Sequence, residues 1–466
     1  MNQGNISYFE KQHPRFYGNP FVESLPKRLS LEDFWNATVK DVELPEQLDR
    51  YDEEAKEEFA RDIMDSVQPT SMYHGVYADV LALLKSGYKN RNPKDEKTQK
   101  WQHQVATNTF EQKKSTASSI ILTGYSGMGK TTLIDSVLSQ IPPIIHHQAD
   151  GPLGFQCTQI VYIKVNIPGD ADLKQICLAV IGEIDKIHGT EIRKSFEIKN
   201  RNTKDCISRL IALCTTHLVG MIIFDEIQNI CLATPNAQKL VFTLFDRLAN
   251  EAFVPTIKIG TTKANRLINN EFTNSRRLGA SIEMLNFQRE DEDWLLLVEY
   301  AWSQQLLPKK RSLTKADQEL IYSYTQGIPY CLFFLIEQSN ILGLRHGYHS
   351  FNKTLFGEVY RAKFRLMRPA ITALRLGKTQ AFDDLFFINN QVNQDSKVII
   401  KKLLKIAHDS KLKGQPAKQL REEFDKYLPE YELTAKEKAI IKQLDKSSEL
   451  VVSGLEEVDG KYRLPI

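Results

Sequence analysis

The residues best equipped to do chemistry lie in two short strings. The first is Gly124-Tyr125-Ser126-Gly127-Met128-Gly129-Lys130-Thr131, followed by Thr132. It fits the pattern G-x-x-x-x-G-K-[ST], and it stands after an apolar run and before a helical pattern, which is the context that pattern needs. Its glycines let the backbone turn with N–H groups aimed at phosphate oxygens, and the following helix N-terminus favours negative charge. Lys130 is then placed for the β- and γ-phosphates, and the Thr131 hydroxyl for Mg²⁺. The second string is Met221-Ile222-Ile223-Phe224-Asp225-Glu226. An apolar run ending in two carboxylates puts them at the carboxyl edge of a buried strand, where open α/β sheets bind ligands. Asp225 suits the Mg²⁺ shell, and Glu226 suits the polarisation of an attacking water.

Two further segments complete such a site. A run at 256–259 predicts a strand ending in Gly260-Thr261-Thr262-Lys263. A hydroxyl at that tip, Thr261 or Thr262, could orient the water or sense the γ-phosphate, or could simply cap a helix. Asn274-Ser275-Arg276-Arg277 precedes the next strand. Arg276 or Arg277, delivered in trans by a neighbouring subunit, could stabilise charge on the transferring phosphoryl group. A solvated basic turn is the other reading. These parts specify an ATPase or GTPase. The string Asn202-Thr203-Lys204-Asp205 has the wrong order for a guanine-reading N-K-x-D motif, so ATP is favoured.

Positioning these groups requires a particular set of elements. Apolar β-branched runs at 118–123, 160–165, 219–224, 255–260 and 281–285 read as strands. They alternate with helical spacing at 172–187, 203–217 and 236–250, the pattern of a mainly parallel sheet covered on both faces. The expectation is an α/β phosphate-loop core over 116–288, with an N-terminal extension at 1–115. Residues 289–388 become helical, at 294–304, 315–325 and 329–342, and form a helical lid. A polar linker at 389–396 leads to a small C-terminal module, 397–466. That module shows three short helical patterns and a hairpin around Asp459-Gly460, the pattern of a winged helix.

Composition narrows the class. The chain has 466 residues, enough for two or three packed units, with 42% hydrophobic and 26% charged residues,. With 61 Lys and Arg against 58 Asp and Glu, the net charge is only +3, so any nucleic-acid grip must be local,. No apolar run is long enough to span a bilayer, and the start carries no secretory pattern. Six cysteines without a C-x-x-C pair read as reduced thiols in a cytoplasmic protein with no membrane partner,.

The order of phosphate loop, Asp-Glu strand, polar strand tip, basic turn and helical lid resembles the AAA+ ATPases. More narrowly, the chain is similar to the TnsC-type regulators of heteromeric, Tn7-like cut-and-paste transposons. Asn19-Pro20-Phe21-Val22-Glu23-Ser24-Leu25-Pro26 matches that family's N-terminal string. So do Gly87-Tyr88 with Arg91-Asn92-Pro93-Lys94, Ser115-Thr116-Ala117 before the phosphate loop, and Asp225-Glu226-Ile227-Gln228. The match spans roughly residues 15–375. One departure is that Gly327-Ile328-Pro329 is followed by Tyr330 where many AAA+ proteins place a sensor arginine. The resemblance implies ATP and Mg²⁺ as cofactors, and a head-to-tail homo-oligomer on duplex DNA. It further implies that this oligomer marks a target chosen by a selector, recruits transposase subunits, and is released by hydrolysis. The alternative is a signalling or secretion-associated ATPase that acts on protein partners without DNA.

DNA tracking needs Lys and Arg on phosphates rather than base-reading side chains. The best such segment holds Arg193, Lys194, Lys199, Arg201, Thr203 and Lys204, just before and at the start of the helix preceding Asp225. Its alternative is a solvated connection. A second basic stretch, 85–114, interleaves Trp101 and His103. It could touch DNA, pack over the adenine, or be solvated.

Overall fold

The computed structural model describes residues 13–377 apart from 46, 108, 110–118, 152–153, 155, 200–202 and 266–279. Beyond them it describes 403–404, 407, 420, 439–441, 456–458 and 461–463. Helices α1 (Pro20–Glu23), α2 (Leu31–Thr38), α3 (Glu53–Asp62), α4 (Ser71–Tyr88) and α5 (Glu96–Ala106) precede strand β1 (Ser119–Gly124). Then come α6 (Lys130–Leu138), β2 (Ile144–His147), β3 (Cys157–Ile160), β4 (Tyr162–Asn166), α7 (Leu173–His188), α8 (Ile192–Lys199) and α9 (Thr203–Thr216). After them run β5 (Met221–Asp225), α10 (Pro235–Asn250), β6 (Thr256–Thr261) and β7 (Ala280–Met284). The described residues fall into two compact units. One lies within Met1–Glu43 and Asp65–Asn286, the other within Leu44–Met64 and Phe287–Ile466.

The first unit is built on a five-stranded sheet in the order β4-β5-β6-β1-β7, with every neighbouring pair parallel. Every residue of β1 and β5 is buried, which is why those strands read as unbroken apolar runs rather than alternating ones. Ile176, Val180, Leu210 and Leu244 from α7, α9 and α10 close one face in a continuous apolar cluster. The register sets Gly124 beside Thr261 and Asn166 beside Asp225, so the ends of four strands share one edge.

The strand expected at 160–165 begins only at Tyr162, and Ile160 ends a separate short strand. Cys157–Ile160 turns away to pair antiparallel with Ile144–His147, and only Tyr162–Asn166 joins the main sheet. The break falls at Val161, whose N–H goes to Pro143 O (2.8 Å), while Ile160 O accepts from Gly220 N (2.7 Å). Four-residue strands of mixed polarity leave no period to read, so β2 and β3 have no clear signature in the sequence.

The opposite, amino-terminal edge of the sheet is closed by the N-terminal segment. Asn19 caps α1 through Phe21 N (3.2 Å) and donates Nδ2 to Tyr88 O (2.9 Å); Pro20 takes the first helical position,. Glu23 turns back to accept from Gly18 N (2.8 Å). The Tyr88 hydroxyl donates to Leu218 O (3.1 Å), and Arg91 spends its guanidinium on Gly87 O, Val219 O and Gly220 O (2.9, 2.5 and 3.1 Å). Burial lowers Arg91 to about 10, yet its hydrogen bonds all go to carbonyls at a strand entrance or helix end, and its guanidinium lies 4.5 Å over the Tyr88 ring,. A Cβ at Gly220 would lie 2.4 Å from the Tyr88 hydroxyl, and one at Gly87 would lie 2.5 Å from Pro255 Cδ. Both glycines are therefore required by close approach. Trp101 follows none of the three readings given for its stretch: the indole is buried against Phe253 and donates to Glu251 O (2.9 Å).

The second unit is helical in its described core: α3, α11 (Glu292–Ser303), α12 (Lys315–Thr325), α13 (Pro329–Arg345), α14 (Lys353–Lys363) and α15 (Arg368–Arg375). A Thr314–Asp317 capping box opens α12,. Gly327 adopts φ +72° with Phe287 O 2.0 Å from where a Cβ would sit, and Pro329 begins α13. The Gly327-Ile328-Pro329 string is thus a turn with a structural reason of its own. Farther on, β8 (Glu456–Val458) and β9 (Lys461–Arg463) pair antiparallel with Val458 opposite Lys461, which is the expected hairpin. The three helices expected before it lie largely outside the described residues. Among the described residues no single helix is long and apolar enough to cross a membrane, and all six cysteines are free.

Candidate active site

The carboxyl edge of the sheet gathers the chemistry. β1 ends at Gly124, where an added Cβ would meet Met284 O at 2.2 Å; only glycine lets β1 and β7 approach so closely there. The loop then turns through Gly127 (φ +80°) and Gly129 (φ +82°), left-handed conformations that other residues resist,. α6 opens at Lys130, which sets its N-terminus at the loop,. Tyr125 and Met128 are buried, so their share in binding is through the backbone, whereas Ser126, Thr131 and Thr132 are exposed.

Lys130 Nζ donates to Gly124 O (2.9 Å) and Tyr125 O (2.7 Å), folded back over its own loop. The Thr131 hydroxyl donates to Asp225 Oδ2 (3.2 Å), and Asp225 Oδ1 accepts from Glu226 N (2.8 Å). A hydroxyl and a buried carboxylate brought together in this way are oxygen donors of the kind a hard cation takes. Mg²⁺ keeps several waters and needs only one or two protein ligands, so the donor set fits it. Glu226 has φ +59°, and its side chain accepts from Gln228 Nε2. Gln228 Oε1 in turn accepts from Thr261 N (3.0 Å). Thr261 Oγ1 is buried and has no hydrogen-bond partner among the described residues. A buried hydroxyl without a partner at a strand tip has capacity for a ligand.

A cleft of about 580 Å³ opens beside this cluster. Thr131, Asp225, Glu226, Lys164, Asn166, Lys186 and Arg193 are among the residues that line it. Arg193 is exposed on α8, whose first N–H groups are held by Asp185; Lys194 beside it pairs with Glu191. Arg201, Arg276 and Arg277 lie outside the described residues, as do the side chains of Lys199, Thr203 and Lys204.

Three further residues had no role assigned by sequence. Tyr73 on α4 brings its hydroxyl to 3.7 Å from a Cβ built at Gly129, and burial pushes it up to about 12, so it stays neutral. Gln228 carries no signal beyond lying in the Asp-Glu string. Lys258 in β6 is buried, pulled down to about 7 by burial, with Nζ donating to Thr256 Oγ1 (2.8 Å) over the Phe245 ring. A lysine inside an apolar strand reads as solvent-facing, and only the packing of α10 reveals otherwise.

The sequence model of the AAA domain family matches residues 112–268. The core is an AAA+ ATPase domain. Among solved structures, the chain is similar to the Aeropyrum pernix ORC2 protein in ADPNP and ADP complexes. The identity is 9%, the cover 84% of this chain and 98% of that one, and the TM-score 0.38. It is also similar to Drosophila ORC bound to DNA (11% identity, 91% and 90% covered, TM-score 0.41). A third is the Thermotoga maritima RuvB Holliday junction branch migration motor (12%, 80% and 91%, 0.32). No curated protein matches the sequence.

Proposed function

We propose that the chain is an ATP-dependent regulator of DNA transposition. It oligomerises on target duplex DNA, links a target-selecting protein or complex to the transposase, and is released by ATP hydrolysis. The observation that carries this reading is the network at the amino edge. The two N-terminal strings that resemble TnsC-type regulators, around Asn19 and around Tyr88–Arg91, interlock in one buried set of hydrogen bonds. Nothing in ATP chemistry requires them, so they support the narrower resemblance independently of the phosphate loop.

In this reading the loop N–H groups and Lys130 hold the β- and γ-phosphates. Lys130 must leave the Gly124 and Tyr125 carbonyls to do so. Thr131 and Asp225 would hold Mg²⁺, which when bound neutralises charge on the phosphate oxygens. Glu226 draws a proton from the attacking water as its oxygen bonds to the γ-phosphorus; the β–γ bridging P–O bond breaks, and its electron pair leaves with ADP. Thr261 donates its unpaired hydroxyl to the water or the γ-phosphate. Arg276 or Arg277 from a neighbouring subunit completes the site, so that ATP stabilises the assembled state by its differential affinity for it. Arg193, Lys194, Lys199, Arg201, Thr203 and Lys204 meet DNA phosphates. Arg193 and Glu226 line the same cleft, which is consistent with DNA contact influencing hydrolysis.

The test is binding to duplex DNA of several sequences with ATP, with ADP and without nucleotide, read by electron microscopy and sedimentation. ATP-dependent rings or filaments that ignore sequence and weaken steeply with salt are expected. A protein that stays monomeric with ATP and ignores DNA at low salt contradicts the reading.

A further inference from the structure

We infer that Gln228 is a positioning residue for hydrolysis, tying the Glu226 carboxylate to the tip of β6 so that the orientation of Glu226 follows the state of Thr261. The inference rests on the reading of Glu226 as the group that activates water.

The geometry is specific to the Gln228 amide. Its Nε2 donates to Glu226 Oε2, and its Oε1 accepts from Thr261 N (3.0 Å). The reversed amide would set Nε2 against the Thr261 N–H and Oε1 against a carboxylate, two repulsive contacts, so the partners fix its orientation. The amide is also wedged in place. A Cβ on Gly260 would stand 2.7 Å from Gln228 Oε1 and 2.6 Å from Ile227 Cγ1, so the backbone of β6 and this side chain share no spare space.

Glu226 needs such a holder. It is solvent-exposed, and an exposed carboxylate on a flexible side chain has several rotamers of similar energy,. Its backbone is set by the left-handed conformation at φ +59° and by Asp225 Oδ1 on its N–H. The side chain is set by Gln228. At the other end of the bridge, Thr261 carries the buried, partnerless hydroxyl. When that hydroxyl engages a γ-phosphate or water, movement of the β6 tip passes through one amide to the carboxylate. Positioning of this kind acts on the chemical step and leaves nucleotide affinity to the loop and Lys130.

The experiment measures ATP turnover of the full chain for wild type, Gln228→Leu, Gln228→Glu, Glu226→Gln and the double variants. Gln228→Glu keeps the side-chain shape and an acceptor for Thr261 N but replaces the donor to Glu226 with a second carboxylate that repels it,, so it breaks the bridge even where Gln228→Leu folds poorly. Both Gln228 variants are expected to lower kcat at least tenfold, with KM for ATP unchanged. In the Glu226→Gln background they are expected to lower the residual rate no further, because Gln228 acts through Glu226. Wild-type kcat in Gln228→Glu, or a loss that multiplies in full onto that of Glu226→Gln, overturns the inference. Wild-type turnover in Glu226→Gln overturns instead the reading of Glu226 on which it rests.

Discussion

The two edges of the main sheet handle polar groups in opposite ways. At the amino edge, Asn19, Tyr88 and Arg91 are buried with partners assigned to their side-chain donors, nearly all of them backbone carbonyls. At the carboxyl edge, Lys130 is turned onto its own loop, Glu226 sits in a left-handed conformation and Thr261 keeps a buried hydroxyl unpaired. A satisfied network stores nothing for a ligand and serves stability; an unsatisfied one is ready to gain partners on binding. Two halves of one sheet thus divide stability from chemistry, as parallel sheets do when ligands meet the carboxyl ends of their strands.

This contrast can be broken by substitution. The largest effect is expected from Lys130→Ala, which removes the only lysine of the loop: ATP binding, followed by calorimetry, should be lost, while the unfolding transition without nucleotide stays where it was. Retained ATP affinity would refute the phosphate-loop assignment. At the other edge, Arg91→Met should do the reverse. It leaves the carbonyls of Val219 and Gly220 without their buried donor and should cost about 3 kcal/mol in denaturant unfolding, with KM for ATP unchanged at temperatures where the variant is folded. A shifted KM without a stability loss would erase the division between the edges.

A smaller effect sharpens the comparison at β6, which runs between the two edges. Burial lowers Lys258 from 10.5 to about 7, with Asp246 opposing that shift. Between these values the unfolded chain carries a proton that the folded chain has released. Stability contributed by this position therefore rises with pH from about 7 to 10.5, and the penalty is complete below 7,. Lys258→Met should be more stable than wild type by about 1–2 kcal/mol at pH 7, and that advantage should shrink as the pH approaches 10. A constant difference across the range would show that Lys258 is not the titrating group.

Much of the candidate site was legible because its parts are contiguous. The glycines, Lys130 and Thr131 must be neighbours in sequence to make the loop, and Asp225 and Glu226 must follow an apolar strand. What escaped reading depends on pairs distant in sequence. Gln228 matters because Thr261 lies beside it across a strand boundary, Tyr73 because α4 reaches Gly129, and Lys258 because α10 covers it. The strings around Asn19 and Arg91 stood out by resemblance, but nothing in their spacing announced that they meet. The β2–β3 hairpin escaped because four-residue strands carry no periodicity.

The central claim is that hydrolysis at the carboxyl edge switches an ATP-bound assembly on DNA. Its most direct test is the lifetime of that assembly for Glu226→Gln, followed by light scattering on duplex DNA after excess ATP is withdrawn. Hydrolysis should fall by a factor on the order of a hundred or more, and the assembly should persist long after that of the wild type has dispersed. Dispersal of both at the same rate would contradict the claim.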